Sequence, residues 1–227
     1  MRVLAIDTAT AWGSVALVDE RGVASERSAY VPGGHLEWLI PAIESMLVDT
    51  RIDRASIEGL VVSTGPGGFS GLRIGIATAA AWAHSLGRPL AGVSTLEVIA
   101  AGVEASGLVV AAMDARRGEI TGALFRRGEH TERLTGDFLL APEGARDWLP
   151  PIDEPVVVAG DGLQRHAAVL LGVLSPWAVA APQAQWWPRA AIAGARGRVR
   201  LLRGERDDPM RLIPMYVRRP DAREFTP

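Results

Sequence analysis

Three stretches of the 227-residue chain combine residue types and spacing that chemistry can use. The densest is Thr64-Gly65-Pro66-Gly67-Gly68-Phe69-Ser70-Gly71-Leu72-Arg73-Ile74-Gly75, directly after the apolar run from Gly59 to Ser63. Glycines around a proline make a tight turn with bare backbone, and Ser70 stands where it would cap a helix opening at Gly71. Free N–H groups at such a helix start attract anions, so one reading is a phosphate cradle and the other an ordinary strand-to-helix turn. The run is neither a Walker loop nor a dinucleotide fingerprint: it has no Gly-Lys-Ser/Thr and no Gly-x-Gly-x-x-Gly in the right place. The second feature is a pair of carboxylates, Asp7 and Asp114, each ending an apolar strand. Such a group positions magnesium and an attacking water, or it caps the turn that follows. The third is Gly160-Asp161-Gly162, a glycine turn after the apolar run Val156-Val157-Val158-Ala159.

Other chemistries are closed off by composition. There is no Cys, which removes disulfides, thiolate metal sites and a cysteine nucleophile. All 24 basic residues are Arg, so lysine-dependent phosphate loops and Schiff bases cannot be built. The total absence of Lys and Asn reads as the codon bias of a GC-rich genome and weakens any argument from arginine counts. The histidines, His35, His84, His130 and His166, form no i, i+4 pair, and each reads as a surface or helix-end residue.

The elements that must carry these residues follow from hydrophobic pattern. Val3 to Asp7, Gly13 to Asp19 and Gly22 to Ser28 form a predicted three-strand meander. A helix is predicted over about 34–48, with Leu36, Leu39, Ile40, Ile43, Met46 and Leu47 at helical spacing. A strand at 59–63, a helix at about 71–86 and a strand at 89–93 complete a βββαβαβ order. Leu108 to Asp114, a turn, and Glu119 to Phe125 then repeat the strand–Asp–turn–strand pattern. Residues 126–154 read as polar and Pro-rich, the segment from Gly162 to Arg203 as mostly helical, and Leu212 to Val217 as an extended tail. Two α/β lobes that open alike predict an α/β actin-like and sugar-kinase-like (ASKHA) fold, each lobe a mixed sheet with helices. The lobes are expected at 1–98 and 99–227, with the terminal helix or tail packing back on the first. The apolar start at Arg2 to Ile6 is too short for a signal peptide or membrane span and reads as a buried strand in a cytoplasmic protein.

Within that fold the Gly-rich run is similar to the Gly-Pro-Gly-Ser-Phe-Thr-Gly-Leu-Arg-Ile-Gly signature of the TsaB (YeaZ) family. Ile6-Asp7-Thr8-Ala9, Ser94-Thr95-Leu96-Glu97, Asp114-Ala115-Arg116-Arg117-Gly118-Glu119, Gly160 to Gly162 and Pro214 to Arg218 resemble further segments of that family, in order and over nearly the whole chain. The resemblance implies a role in forming N6-threonylcarbamoyladenosine beside the anticodon of tRNAs that read codons starting with A. It implies partners: a catalytic paralogue, TsaD, a P-loop ATPase, TsaE, and tRNA as substrate of the complex, with a homodimer when the chain is alone. TsaD holds its metal through a His-x-x-x-His pair, and the matching positions here are Thr95 and Ile99. No catalytic residue and no metal site are therefore expected, and the implied part is a non-catalytic, partner-binding subunit.

ATPases of this fold keep a glycine close after the first carboxylate. Here Thr8 and Ala9 fill that turn, and Ala115-Arg116-Arg117-Gly118 makes the second one bulky. Asp7, Thr8, Asp114, Gly160 and Gly162 are thus expected to mark a degraded nucleotide site; no cofactor is required by this chain, and ATP or ADP would sit at an interface with partners. The helix at 71–86 is apolar nearly all round and needs cover on both sides. Gly75, Ala79, Ala80 and Ala83 are expected to face a partner, with Trp38 and Trp82 as anchors, while Gly65, Pro66, Gly67, Gly71 and Arg73 form the structural signature. Arg73 is expected in the first helical turn beside an unidentified anion. From Trp186 onward ten Arg face five Asp plus Glu, a basic segment that either meets tRNA phosphates or is a solvated face. The competing readings are an actin-like kinase or ATPase, and a metallopeptidase, which fails on the missing ligands.

Overall fold

The computed structural model describes residues 1–216; Val217, Arg218 and the rest of the tail lie outside the described residues. The first sheet has the order β3-β2-β1-β4-β5, from β1 (Val3–Asp7), β2 (Trp12–Asp19), β3 (Gly22–Tyr30), β4 (Gly59–Gly65) and β5 (Leu90–Ser94). β1 is buried throughout because it lies in mid-sheet, antiparallel to β2 and parallel to β4. Its unbroken apolar run suits a strand covered on both faces. α1 (His35–Thr50) and α2 (Phe69–Leu86) cover one face, Leu39, Ile43 and Met46 meeting Leu4, Ile6, Leu60 and Val62.

The second sheet runs β11-β10-β6-β7-β8, from β6 (Gly107–Arg116), β7 (Glu119–Arg127), β8 (Thr131–Arg133), β10 (Val156–Ala159) and β11 (Ala178–Ala180), with β9 (Phe138–Leu140) also on β7. α4 (Ala145–Trp148) and α5 (Leu163–Val173) cover its outer face. α3 (Thr95–Gly102) and α6 (Ala190–Leu202) lie between the sheets: Leu96 and Ile99 pack on β6 and β7, and Ala190, Ala193 and Leu201 on β1, β2 and β4. The layers are helix, sheet, helix, sheet, helix. Among the described residues no helix is long and apolar enough to cross a membrane.

Two expectations need correction. The polar stretch 126–154 contains β8 and β9, which pair with β7, and the supposedly helical stretch contains β11, parallel to β10. All three strands have three residues, too few for a period of two to register.

Candidate functional site

Both strand–Asp–turn units form, and both aspartates cap their own turn. Asp7 accepts from the Ala9 N–H at 3.1 Å and from the Ser63 hydroxyl of β4, inside a fully buried environment. Burial pushes its carboxyl up to about 6 against the pull of those hydrogen bonds, and the Glu26 charge adds to the rise. Thr8 donates its hydroxyl to the Gly71 carbonyl at 2.7 Å, and the Gly68 N–H donates to the Ala9 carbonyl at 2.7 Å. A Cβ at Gly71 would overlap the Thr8 carbonyl oxygen, and one at Gly75 the Thr8 hydroxyl. Gly67, Gly71 and Gly75 are thus explained by close approach of this segment to the β1–β2 turn, while Gly65, at φ 119°, lies against the Met215 carbonyl. Ser70 does not cap: the helix opens two residues earlier, behind Gly68, and its start has no side-chain cap.

The β6–β7 turn is built differently. Asp114 accepts from the Arg116 N–H at 2.8 Å, and the guanidiniums of Arg116 and Arg165 each stand 3.6 Å from its carboxylate. Arg116 and Arg117 both adopt positive φ, 65° and 56°. Asp161 accepts from the Asp114 N–H at 3.0 Å, and burial pushes its carboxyl up to about 6. Gly160 has φ 119°, a Cβ there would overlap the Ala112 carbonyl oxygen, and the Gly162 N–H donates to that same oxygen at 3.1 Å. The Gly-Asp-Gly turn therefore presses β10 and α5 against β6.

Between the two turns lies a cleft of about 750 Å³. Thr8 to Ala11 and the start of α2 form one side, Asp114 to Arg117, Asp161 and Arg165 the other, with His35, Tyr30, Trp187 and Tyr216 along it. Of the five expected nucleotide-site residues, Thr8 and Asp114 line this space; Asp7 is sealed beneath it, and Gly160 and Gly162 are turned to β6. Sequence reasoning missed His35, Ser63, Arg165 and Tyr216. His35 in particular is buried rather than a surface residue, at 6% exposure. Its position at the start of a helix, after Gly33-Gly34, was the only signal.

The partner-facing side of α2 also needs correction. Gly75, Ala79 and Ala83 are buried against their own sheet; Ala80 and Trp82 are half-buried beside the same core; and Arg73, Ala77 and Ala81 face outward. A run that is small and apolar on every side gives no phase to its faces, so the sequence could not choose between them. Trp38 is half-buried, its ring filling the space that a side chain at Gly13 would need. Arg73 lies in the second turn of α2. Its Nε donates to the Tyr216 hydroxyl at 2.8 Å, its guanidinium sits 3.8 Å from the Phe69 ring centre, and Phe69 stacks on Tyr216 at 5.0 Å. Its partner is the chain's own tail, which also donates from the Met215 N–H to the Thr64 carbonyl at 2.7 Å beside Gly65 and Pro66.

Thr95 and Ile99 are buried in α3, away from the cleft. Among the described residues no group of three or more His, Cys, Asp or Glu could hold a metal ion. Of the basic segment, Arg189 pairs with Glu26, Arg196 with Glu97 and Arg200 with Glu205 and Asp207, while Arg198 donates to the Met1 carbonyl at 2.8 Å. These arginines fasten α6 to the first sheet and its surroundings.

Residues 29–156 match the family model described as "TsaD: tRNA N6-adenosine threonylcarbamoyltransferase". The chain is 33% identical to an uncharacterized protein of Mycobacterium leprae, over 99% of its own length but 56% of that protein's. It is 32% identical to the tRNA threonylcarbamoyladenosine biosynthesis protein TsaB of Bacillus subtilis, covering 98% of this chain and 96% of the relative. YeaZ from Pseudomonas aeruginosa superposes with a TM-score of 0.84 at 24% identity, over 95% of this chain and 99% of that one. A ROK hexokinase from Thermus thermophilus shares the fold alone, with a TM-score of 0.50 at 15% identity, over 88% and 100% of the two chains. With an actin-like and sugar-kinase-like fold and a TsaB relative matched almost end to end, the chain belongs to the TsaB (YeaZ) family.

Proposed function

We propose that this chain is the non-catalytic, partner-binding subunit of the machinery that forms N6-threonylcarbamoyladenosine in tRNA. The observation that carries the reading is the outward surface of α1 and α2. On α1, Leu36 is 67% exposed, Ile40 38% and Val48 74%, spaced by four and eight residues along one face. Beside it α2 turns out Ala77 and Ala81, small enough for another helix to approach closely. An apolar stripe with small neighbours favours helix-on-helix association, and a TsaD-like paralogue of the same fold is the partner the family points to. Self-association through this face when the partner is absent is part of the proposal. So is the presence in the complex of a TsaE-like P-loop ATPase, with tRNA as substrate.

Chemistry is assigned to the partner. Supporting this, Thr95 and Ile99, which the family resemblance matches to metal-binding histidines of the paralogue, are both buried. Asp114, the carboxylate an ATPase would give to magnesium, already faces two guanidiniums. ATP or ADP used by the assembly is accordingly assigned to its interfaces or to the ATPase.

Replacing Ala77 or Ala81 by Arg puts bulk and an unpaired charge into the contact. The cost of about 3–5 kcal/mol weakens association by more than roughly a hundredfold. Sedimentation reads self-association, capture of the purified paralogue reads pairing, and circular dichroism verifies the fold. Folded variants that pair like the unmodified chain exclude this face. Threonylcarbamoylation of tRNA by this chain without the paralogue excludes the non-catalytic assignment.

A further inference from the structure

The outward surface of α1 and α2 carries two charges that the chain itself leaves without counterions. Every fourth residue of α1 is exposed along one row, which reads Leu36, Ile40, Glu44 and Val48. The matching row of α2 reads Arg73, Ala77 and Ala81. Whatever covers the apolar members of these rows also covers Glu44 and Arg73, and a charge covered without a counterion is strongly destabilising. Among the described residues no cation pairs with Glu44 and no carboxylate with Arg73. Glu44 borders a shallow recess with Leu47, Val48 and Ile52. Of the charged groups there, Asp53 accepts from the Ala55 N–H, Arg54 stacks on Trp82, and Arg51 forms no ion pair with Glu44. Arg73 is already ordered, its Nε donating to the Tyr216 hydroxyl and its guanidinium lying on the Phe69 ring, which leaves both Nη groups for a partner at little entropic cost.

The two helices run in the same direction, since His35 at the start of α1 lies beside Gly71 at the start of α2, and Arg54, just past α1, lies on Trp82 near the end of α2. At 1.5 Å per residue, Glu44 is roughly 10 Å further along the pair than Arg73, too far for them to meet within one chain. The halfway level falls at Ile40 and Ala77, in the middle of the apolar surface. A two-fold axis through that middle, perpendicular to the helices, lays α2 antiparallel on α1 of another copy and brings each Arg73 level with the other copy's Glu44. We infer that this face is self-complementary: it docks a second copy of the chain in the antiparallel direction, with two symmetric ion pairs from Arg73 to Glu44 on either side of Ile40 and Ala77. Opposed helix dipoles favour the same direction. Glu37 stands one position off the apolar row and stays at its solvent edge. This arrangement rests on the reading of the α1 and α2 face as a docking surface, and adds to it the direction of docking and the two charges that fix it.

The test is charge reversal in the full chain, read by sedimentation over a range of concentrations with circular dichroism as the check on folding. Arg73→Glu and Glu44→Arg are each expected to weaken self-association by more than roughly a hundredfold. Mixing these two variants restores both pairs across one two-fold axis, so the mixture is expected to dimerise where neither variant does alone, and the double variant to dimerise with itself. Glu37→Arg is expected to change association by less than about tenfold. A mixture that stays monomeric overturns the inference, as does loss of association at Glu37 in place of Glu44, which marks parallel docking. An unmodified chain that is monomeric at every concentration overturns it too, while capture of the paralogue still judges the docking surface separately. Ala77→Arg separates the two failures: if it abolishes association while the mixture is not rescued, the face is right and the ion pairs are wrong. If Arg73→Glu does not fold, the contrast between Glu44→Arg and Glu37→Arg decides.

Discussion

The β1–β2 turn and the β6–β7 turn share a pattern and a hydrogen bond, Asp to the N–H two residues on, but little else. The first is sealed: its carboxylate is buried beside a serine hydroxyl, with no cation against it among the described residues, and the next residue is pinned beneath α2. The second is open and charged, its carboxylate shared between two exposed arginines. The repeated motif thus keeps one hydrogen bond while the turn backbone changes, positive φ at Arg116, Arg117 and Gly118 having no counterpart in the first turn, and the two environments lie at opposite electrostatic extremes. What the strand–Asp–turn unit shares is the local cap; what it does with the carboxylate is set by the element laid over it.

The sharpest way to break this contrast is at the glycines. Gly71→Ala forces a methyl into the Thr8 carbonyl and is expected to cost about 3 kcal/mol or more. Gly118→Ala, at φ 79° with open space around it, should cost about 1 kcal/mol. Urea denaturation of both variants measures the difference, and equal losses refute the sealed-versus-open distinction.

Next come the carboxylates. Asp7 is raised from 3.8 to about 6, so the folded chain holds its proton more tightly than the unfolded chain does. The associated stability is complete below pH 3.8 and is lost as pH rises through about 6. Asp7→Asn is therefore expected to match the unmodified chain near pH 4 and to exceed it by roughly 3 kcal/mol at pH 8. Asp114→Asn, beside solvent-exposed arginines, should change stability by less than about 1 kcal/mol across that range. Thermal unfolding of the two variants at stepped pH tests the pair, and a pH-independent Asp7→Asn difference would refute burial of the charge as the cause. The smallest effect concerns the tail, which is tied to the start of α2 above the sealed turn. Tyr216→Phe loses the hydrogen bond from Arg73 but keeps the stack on Phe69, and should cost about 1 kcal/mol or less.

Much of the first sheet was legible because β1, β2 and β4 are apolar runs bounded by turn residues, and the repeat of strand, Asp and turn at Leu108 to Phe125 announced the second. The two aspartate turns were visible for the same reason, since an Asp at the end of an apolar strand caps the turn that follows. The rest depended on distance. Arg73 meets Tyr216 across 143 positions, and Asp7 meets Ser63 across 56, so no window of sequence contains either pair. The glycines of the signature could equally have bared backbone to a ligand or admitted a neighbouring strand. Only the position of Thr8 beneath Gly71 and Gly75 separates those meanings.

The position of α6 has a consequence for synthesis. One face of the first sheet is closed by residues 190–202, with Gly194 and Gly197 lying against Val18 and Val61. The sheet's own strands are complete by Ser94. At roughly 5–20 residues per second, the intervening stretch of about 100 residues takes roughly 5–20 s to emerge from a ribosome, and α6 follows it. During that interval Val3, Ala5, Val18, Val61 and Val93 present a bare apolar face, which makes the half-made chain a client for whatever shields nascent polypeptides.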